Sequence, residues 1–204
     1  FAFLPEPRDL QAYLGFVKIN QLPNNIKNIS PIRLAAIKET ATTIGARGAL
    51  AYRSIQINHI LSKEANLLNG IFNFNRLLLP NHILPPIIET SKNSMILNNP
   101  DTIRGDSTTY KLIKPAHFVT VAPTWRDYLW MNYPTPTMPS KVLLPQTQAE
   151  AIAWNNFLAI GWRQGLEQAN EIFTLNLNRL KRDINGMILY KKLLAQRIIS
   201  PPYI

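Results

Sequence analysis

The sequence predicts a mainly helical α+β fold, in which two long helices pack with a small sheet of short strands. Two segments, residues 31–69 and 147–185, show the helical spacing of apolar residues and contain no proline after the first turn. Between them, residues 85–121 break into short β-branched and apolar runs that prolines separate, as short strands do. A chain of 204 residues can bury a core of its own. We therefore expect residues 31–204 to form a single domain that follows an N-terminal arm, residues 1–30.

The N-terminal arm is expected to be extended. Two prolines lie near its start, Leu22–Asn25 reads Leu-Pro-Asn-Asn, and a short helix fits only near Leu10–Phe16. Because the chain begins with Phe1 rather than methionine, we expect any targeting segment or lipid-bearing N-terminus to lie outside this sequence. The arm has no core of its own, so it should gain order mainly from contacts, as should the proline-rich loop 134–146.

The first long helix is predicted to begin at Ser30 and Pro31, because Ser is a favoured N-cap and Pro is favoured in the first turn. Asn69-Gly70 is its predicted stop. Small residues in its middle would let another backbone or an aromatic ring approach closely. These residues are Gly45, Ala46, Gly48, Ala49 and Ala51. Tight packing inside the domain is the first interpretation of them, and contact with a partner is the second.

The candidate strands of the small sheet are short. Each is an apolar or β-branched run that ends near proline, asparagine or glycine. They are Ile87–Thr90, Met95–Leu97, Thr102–Arg104, Thr108–Ile113 and Phe118–Val121. Gly105-Asp106 is typical of a turn between two of them.

A short helix is predicted to begin at Pro123-Thr124 and to carry the sequence TWRDYLWMNY. Trp, Tyr and Arg dominate interface hot spots because they bury a large area and keep a polar handle. On a helix, residues three apart share a face, which would pair Trp125 with Tyr128 and Trp130 with Tyr133. The candidate interface residues are Trp125, Arg126, Asp127, Tyr128, Trp130 and Tyr133. Packing in the domain's own core explains the aromatic residues equally well, and base stacking is a third interpretation.

The second long helix is predicted to begin at a capping box formed by Thr147 and Glu150. An apolar stripe follows, with steps of three, four and seven residues. Its members are Trp154, Leu158, Trp162, Ala169, Phe173, Leu177, Leu180, Ile184 and Ile188. Asn185-Gly186 is expected to break the helix, so that a separate C-terminal helix covers residues 187–197 before Pro201-Pro202.

The charge balance of the chain favours acidic partners. It has 22 Lys and Arg residues against 12 Asp and Glu residues, a formal net charge of +10. Nucleic acid or an anionic membrane surface would explain this excess, but the basic residues are scattered and the densest run, Arg179–Arg182, is short. Nucleic-acid binding is therefore the alternative function. No run reaches 18 apolar residues, so we expect no helix that spans a bilayer.

The sequence shows no constellation that is typical of an enzyme. It lacks the Gly-rich phosphate loops, the nucleophile elbow and the zinc-protease motif, and it has no cysteine. His59, His82 and His117 lie far apart and have no companion ligand nearby in the sequence. We therefore expect a protein that is not an enzyme, with no catalytic residues, no cofactor, no metal site and no small-molecule substrate.

Three long blocks of the sequence carry a resemblance to a known family. The first block is Gly45–Leu61 (GARGALAYRSIQINHIL), followed by Phe72–Phe74 and Leu77–Ile88. The second block is Phe118–Tyr133 (FVTVAPTWRDYLWMNY), and the third is Leu180–Ile204 (LKRDINGMILYKKLLAQRIISPPYI). These blocks resemble the DotC family, the outer-membrane lipoproteins of the Dot/Icm, or type IVB, secretion system, to which an IncI conjugation subunit is related.

The resemblance implies a structural and assembly subunit of the outer-membrane core complex, which helps partner subunits reach the outer membrane for effector export. Members of the family lie on the periplasmic face of that membrane, held by a lipid on an N-terminal cysteine that this sequence does not contain. The implied partners are DotD-like and DotH-like core subunits, with no nucleic acid among them. The family has no known catalytic residues, so the resemblance assigns none here.

Overall fold

The computed structural model describes residue 10, residues 22–23, residues 28–93 and residues 107–202, of which residues 91–93 and 107 are described by their backbone alone. Within these residues the fold is mainly helical and contains short antiparallel strands. The predicted α+β class is therefore confirmed.

Four α-helices lie in the described part of the chain from residue 28 onwards. They are α1 (Pro31–Lys63), α2 (Ala65–Ile71), α3 (Trp125–Leu129) and α4 (Gln148–Ala195). Short 3-10 turns cover Phe74–Leu77, Pro80–His82 and Lys141–Leu143. Among the described helices, none contains a stretch that is both long and apolar enough to cross a membrane.

The described strands form two separate two-stranded antiparallel sheets. β1 (Ile83–Leu84) pairs with β4 (His117–Phe118), and β2 (Ile87–Asn93) pairs with β3 (Ser107–Lys114). The predicted strands at 87–90 and 108–113 are confirmed within longer elements. The predicted strands Met95–Leu97 and Thr102–Arg104, with the turn at Gly105-Asp106, lie outside the described residues.

The predicted strand Phe118–Val121 is wrong beyond Phe118. Because β1 and β4 are antiparallel, residues 119–121 could extend β4 only if the residues just before Ile83 were also extended. Asn81 and His82 stand there with φ angles of 64° and 55°, in the left-handed region. Such residues form a turn and not a strand, so β4 ends after two residues.

Contacts group the chain into two compact units. The first unit consists of Phe1–Lys63 and Met131–Thr174, and the second of Glu64–Trp130 and Leu175–Ile204. α4 therefore contributes its first part to one unit and its last part to the other. The prediction of a single domain over residues 31–204 stays a prediction.

The helix starts of the first unit follow local sequence signals. The hydroxyl oxygen of Ser30 accepts a hydrogen bond from the Arg33 N–H at 3.3 Å, which confirms the predicted N-cap. The hydroxyl oxygen of Thr147 likewise accepts from the Glu150 N–H at 3.2 Å. The Glu150 carboxylate accepts from the Gln146 N–H at 2.8 Å and from the Arg33 side chain at 3.1 Å. This carboxylate therefore links α1 to the start of α4.

The predicted arm and the proline-rich loop are only partly described. Of the predicted helix near Leu10–Phe16, only Leu10 is described; it is helical and packs against the core of the first unit. The end of the loop 134–146 is held by α1, because the Arg33 guanidinium donates to the carbonyls of Val142 and Leu144. Contacts inside the unit thus order this end of the loop.

The core of the first unit forms where α1 and the first part of α4 approach each other closely. A Cβ atom on Gly45 would overlap the Leu158 carbonyl, and one on Gly161 would overlap the Thr42 carbonyl. The small residues of α1 therefore serve packing inside the unit, which was the first interpretation. The core residues are Ile37, Ala41, Ile44, Ala49, Trp154, Leu158, Trp162 and Leu166.

α4 runs through Asn185-Gly186 without a break, so the separate C-terminal helix 187–197 is a wrong prediction. Gly186 is buried, and a Cβ atom there would lie 2.6 Å from Ile87 Cγ2 and 2.9 Å from the Ile88 carbonyl oxygen. Because Gly186 has no side chain, β2 packs directly on the helix. Gly186 does not end the helix. The first long helix, in contrast, is shorter than predicted. α1 ends at Lys63, before the predicted stop at Asn69-Gly70, and α2 follows after Glu64.

The predicted apolar stripe of α4 is buried along most of its length, but Ile188 is 48% exposed. Because the helix continues at 3.6 residues per turn, Met187 and Tyr190 take the inward positions beyond Ile184. Together with side chains from the other elements they form the core of the second unit. Its buried apolar residues include Phe74, Leu84, Ile87, Trp125, Leu129, Leu180, Ile184 and Met187.

Candidate interaction site

The short helix α3 begins through a local polar contact. The Asp127 carboxylate accepts hydrogen bonds from the Thr124 N–H at 2.7 Å and from the Thr124 hydroxyl at 3.2 Å. This side chain fixes the start of the helix, where a carboxylate also interacts favourably with the helix dipole. Asp127, one of the predicted interface residues, therefore has a structural role, although its side chain is exposed.

α3 ends at Leu129, four residues before Tyr133, so the predicted helix over Thr124–Tyr133 is too long. Trp130 is already extended, with φ −68° and ψ 126°. The backbone of Met131 is bonded at both its polar groups by the Asn58 side chain: its N–H donates at 3.1 Å and its carbonyl accepts at 2.6 Å. The Met131 N–H cannot then continue the helical ladder. The prediction that Trp130 and Tyr133 share a helix face is therefore wrong.

Trp125 belongs to the core of the second unit. Its side chain is 1% exposed, and its indole N–H donates to the Asn69 side-chain oxygen at 2.7 Å. A buried indole with a satisfied N–H is typical of a packing residue. The structure thus places Trp125 as the core interpretation predicts.

Arg126 and Trp130 form the exposed part of the motif in the second unit. The Arg126 guanidinium carbon lies 4.6 Å from the Trp125 ring centroid and 5.0 Å from the Trp130 ring centroid, within the range of cation–π contacts. The Trp130 side chain is 42% exposed. The guanidinium therefore holds a large aromatic side chain in place at the surface.

Tyr128 faces inward from α3. Its ring stacks on Phe74 with centroids 5.7 Å apart, and the Arg179 guanidinium lies 5.3 Å from its centroid. Its hydroxyl donates to Asp183 at 2.9 Å. Burial, and next to it the hydrogen bond to Asp183, raises the pKa of Tyr128 far above the ordinary value for tyrosine, so the phenol stays neutral and keeps its proton for this bond.

Asp183 is a fully buried carboxylate. It accepts hydrogen bonds from Lys114 at 3.0 Å and from the guanidinium of Arg182 at 2.7 Å, in addition to Tyr128. Burial alone would raise the pKa of Asp183, but the hydrogen bonds from Arg182, Lys114 and Tyr128 outweigh that effect and hold its pKa below the ordinary range. The carboxylate is therefore ionised and ties β3, α3 and α4 together.

The predicted interface residues thus have different placements. Arg126 and Trp130 lie together at the surface of the second unit, while Trp125 and Tyr128 are engaged inside it. Tyr133 belongs to the first unit, where its side chain is 36% exposed. The motif is therefore partly a packing element and partly a surface.

Two kinds of residue that position the motif were missed by sequence reasoning. Asn58 makes two amide hydrogen bonds to Met131 and Asn69 makes one to Trp125, and the sequence holds no signal for these contacts. Asp183 did leave a signal, because it stands three residues after Leu180 and four before Met187, on the buried side of α4. A carboxylate in such a position needs partners when it is buried.

No group of three or more His, Asp or Glu side chains in the described residues is placed to hold a metal ion. The clustered groups are instead an ion-pair network around one carboxylate and an aromatic surface beside it. What this arrangement can do is hold a rigid surface with aromatic and cationic character.

Comparison with known families gives one result for almost the whole chain. The T4SS_TraI family model, described as "Type IV secretory system, conjugal DNA-protein transfer", matches residues 31–204. No curated protein matches the chain significantly. The match includes the second unit, the first unit from residue 31 onwards and all six predicted interface residues, and it excludes residues 1–30.

Proposed function

The chain belongs to the T4SS_TraI family of the type IV secretory system, conjugal DNA-protein transfer, and we propose that it is a structural and assembly subunit of such a machine. In this proposal it is not an enzyme. It recruits other subunits through its surface and holds them in place.

The finer form of the proposal follows from the resemblance to the DotC family. The protein would be a subunit of the outer-membrane core complex, placed at the periplasmic face of the outer membrane by a lipid outside this chain. Its partners would be a DotD-like and a DotH-like subunit. The long blocks of similarity, which include the motif Thr124–Tyr133 and the C-terminal segment 180–204, support this form.

The observation that carries the proposal is the exposed Trp130 with Arg126 against its ring. An immobilised indole loses little conformational entropy on binding, and Trp and Arg are the residue types most enriched in hot spots. This surface is therefore prepared for contact before a partner arrives.

The test is co-purification of the partner subunits with the variant Trp130→Ala. We expect the recovered amounts of the DotD-like and DotH-like subunits, measured by quantitative mass spectrometry, to fall at least about tenfold, as a hot spot of more than about 1.4 kcal/mol requires. The matched control is Tyr110→Ala, because Tyr110 is an aromatic residue of the same unit and is 41% exposed. Unchanged recovery with Trp130→Ala would refute the role of this surface.

Trp125→Ala does not serve this test, although the sequence suggested it. Trp125 is buried, so its removal leaves a cavity and an unpaired Asn69, at a cost of about 3–5 kcal/mol. A loss of partners would then report unfolding and not the loss of a contact.

Nucleic-acid binding is the second candidate function. The net charge of +10 and the family's connection with DNA transfer favour it. Against it, two of the basic residues in the densest run are engaged inside the second unit: Arg182 pairs with Asp183, and Arg179 lies over Tyr128. A salt titration separates this candidate from the assembly function.

A further inference from the structure

An open groove of about 530 Å³ lies in the first unit between the C-terminal half of α1 and residues 170–174 of α4. We name it the α1–α4 groove. Its α1 wall runs from Arg53 to Lys63, and its α4 wall includes Phe173 and Thr174. The volume is in the range of pockets that bind ligands or anchoring side chains.

Four of the residues that line the α1–α4 groove are apolar. Ile57, Ile60 and Leu61 line it from α1, and Phe173 lines it from α4. Leu61 is buried, while Ile60 is 38% exposed. Apolar side chains of a partner would therefore lose water against these walls, which is the main source of affinity in such a groove.

The polar side chains of the groove are cationic or neutral. Arg53, His59 and Lys63 line it, and no Asp or Glu is among its lining residues. The side-chain carbonyl oxygen of Gln56 is buried and accepts no hydrogen bond within the described residues, so it is a free acceptor in the wall. The charges make the groove complementary to carboxylates and repellent to cations.

The length of the groove fits a helix. Arg53 and Lys63 are ten residues apart in α1, which corresponds to about 15 Å at 1.5 Å per residue, or about three turns of a second helix. The apolar wall residues on α1 follow the steps of three and four that present one face, and a groove between two helices is the usual seat of an amphipathic helix.

We propose that the α1–α4 groove binds an amphipathic helix of an acidic partner protein, with apolar residues at i, i+3, i+4 and i+7 and with Asp or Glu flanking them. The inference rests on the proposed assembly function and names the kind of partner segment. A second copy of this chain is a poor occupant, because two chains of net charge +10 repel each other and the groove itself is cationic.

The test uses the full chain and two synthetic helical peptides of about 18 residues, or five turns. They share the same leucines, and their flanking residues are Glu in one peptide and Lys in the other. We expect the Glu peptide to bind at least about tenfold more tightly than the Lys peptide in isothermal titration calorimetry. Ile60→Asp should weaken that binding at least about tenfold, since it places a charge in the apolar wall.

The matched control is Ile55→Asp, on the same helix but outside the groove, with a side chain that is 59% exposed. It should change the affinity less than about twofold. Equal binding of the two peptides, or equal effects of the two variants, would overturn the proposal. Binding of lauric acid with no binding of either peptide would assign the groove to a small amphiphile, and a dimer abolished by Ile60→Asp would assign it to a second copy.

The peptide experiment and the Trp130 experiment fail separately. The peptides are tested on the isolated chain, and the groove lies in the first unit, whereas Trp130 lies in the second. Loss of partners in Trp130→Ala with no peptide binding would keep the assembly function and reject the groove. Peptide binding together with normal recovery of the partner subunits in Trp130→Ala would keep the groove as a binding site and reject the role of the Trp130 surface.

Discussion

Three side chains from different elements meet at Asp183: Lys114 at the end of β3, Tyr128 in α3 and Arg182 beside it in α4. A buried ion pair of this kind contributes little compared with an apolar replacement, but the loss of one member leaves the others unpaired. The carboxylate therefore matters more for the arrangement of the second unit than for its total stability.

Asp183→Asn is expected to lower the free energy of unfolding at pH 7 by about 1.5–3 kcal/mol, the range for hydrogen bonds to charged groups. The folded-state pKa of Asp183 is depressed, so its contribution is present above the unfolded pKa of about 3.9 and is lost as pH falls through the folded pKa. The difference between wild type and Asp183→Asn should therefore shrink in acid. Urea unfolding at pH 7 and pH 3 measures it.

The control for this variant is Glu171→Gln, because Glu171 is an exposed acidic residue of the same helix. Its substitution should change the free energy of unfolding by less than about 0.5 kcal/mol at both pH values. An Asp183→Asn loss that is the same at pH 3 as at pH 7 would show that the charge of Asp183 is not what stabilises the unit.

At the scale of the element, α4 continues where the sequence suggested a stop, and Gly186 explains why. Gly186→Ala would improve helix propensity by about 1 kcal/mol, but its Cβ would meet the Ile88 carbonyl oxygen at 2.9 Å, and backbone cannot yield easily. We expect a net loss of about 1–3 kcal/mol, the usual cost of overpacking. Thermal and urea unfolding measure the change.

Gly70→Ala is the matched control for Gly186→Ala. Gly70 lies in α2, and a Cβ there would meet no atom within 4 Å. Helix propensity alone then acts, so Gly70→Ala should stabilise by up to about 1 kcal/mol. The two alanine substitutions should therefore have opposite signs. If Gly186→Ala also stabilises the protein, then the close packing of β2 on α4 does not require a glycine at this position.

Helix starts could be predicted from the sequence, while helix continuity could not. Ser30 and Thr147 act within three residues of their own positions, so their capping is visible locally. The role of Gly186 depends on β2, which lies about a hundred residues earlier in the chain.

The candidate site shows the same limit. Its residue types were recognisable because Trp, Tyr and Arg are enriched in interface hot spots. The sequence did not show which of these residues lie in the core and which at the surface, because Trp125 and Trp130 differ only in what the fold places against them. An ambiguous aromatic motif becomes a site only where its side chains remain exposed and held.

At the scale of the whole molecule, the net charge of +10 separates the two candidate functions. A DNA-binding protein concentrates its cations on one face, and each neutralised phosphate makes the affinity depend more steeply on salt. Here several cations are already paired with protein groups, among them Arg33 with Glu150, and Lys114 and Arg182 with Asp183. These three cations are therefore already partly neutralised by carboxylates and are less available to phosphate groups.

We expect duplex DNA to bind weakly and without sequence preference, with dissociation constants above about 10⁻⁶ M near physiological salt, and with a shallow slope of log K against log salt. Fluorescence anisotropy over a salt series measures both. A slope that corresponds to about six or more phosphates would instead favour the nucleic-acid function. In that case Lys181→Glu, which reverses an exposed charge of α4, should reduce the slope, whereas Lys38→Glu in α1 serves as the control for a general change in net charge.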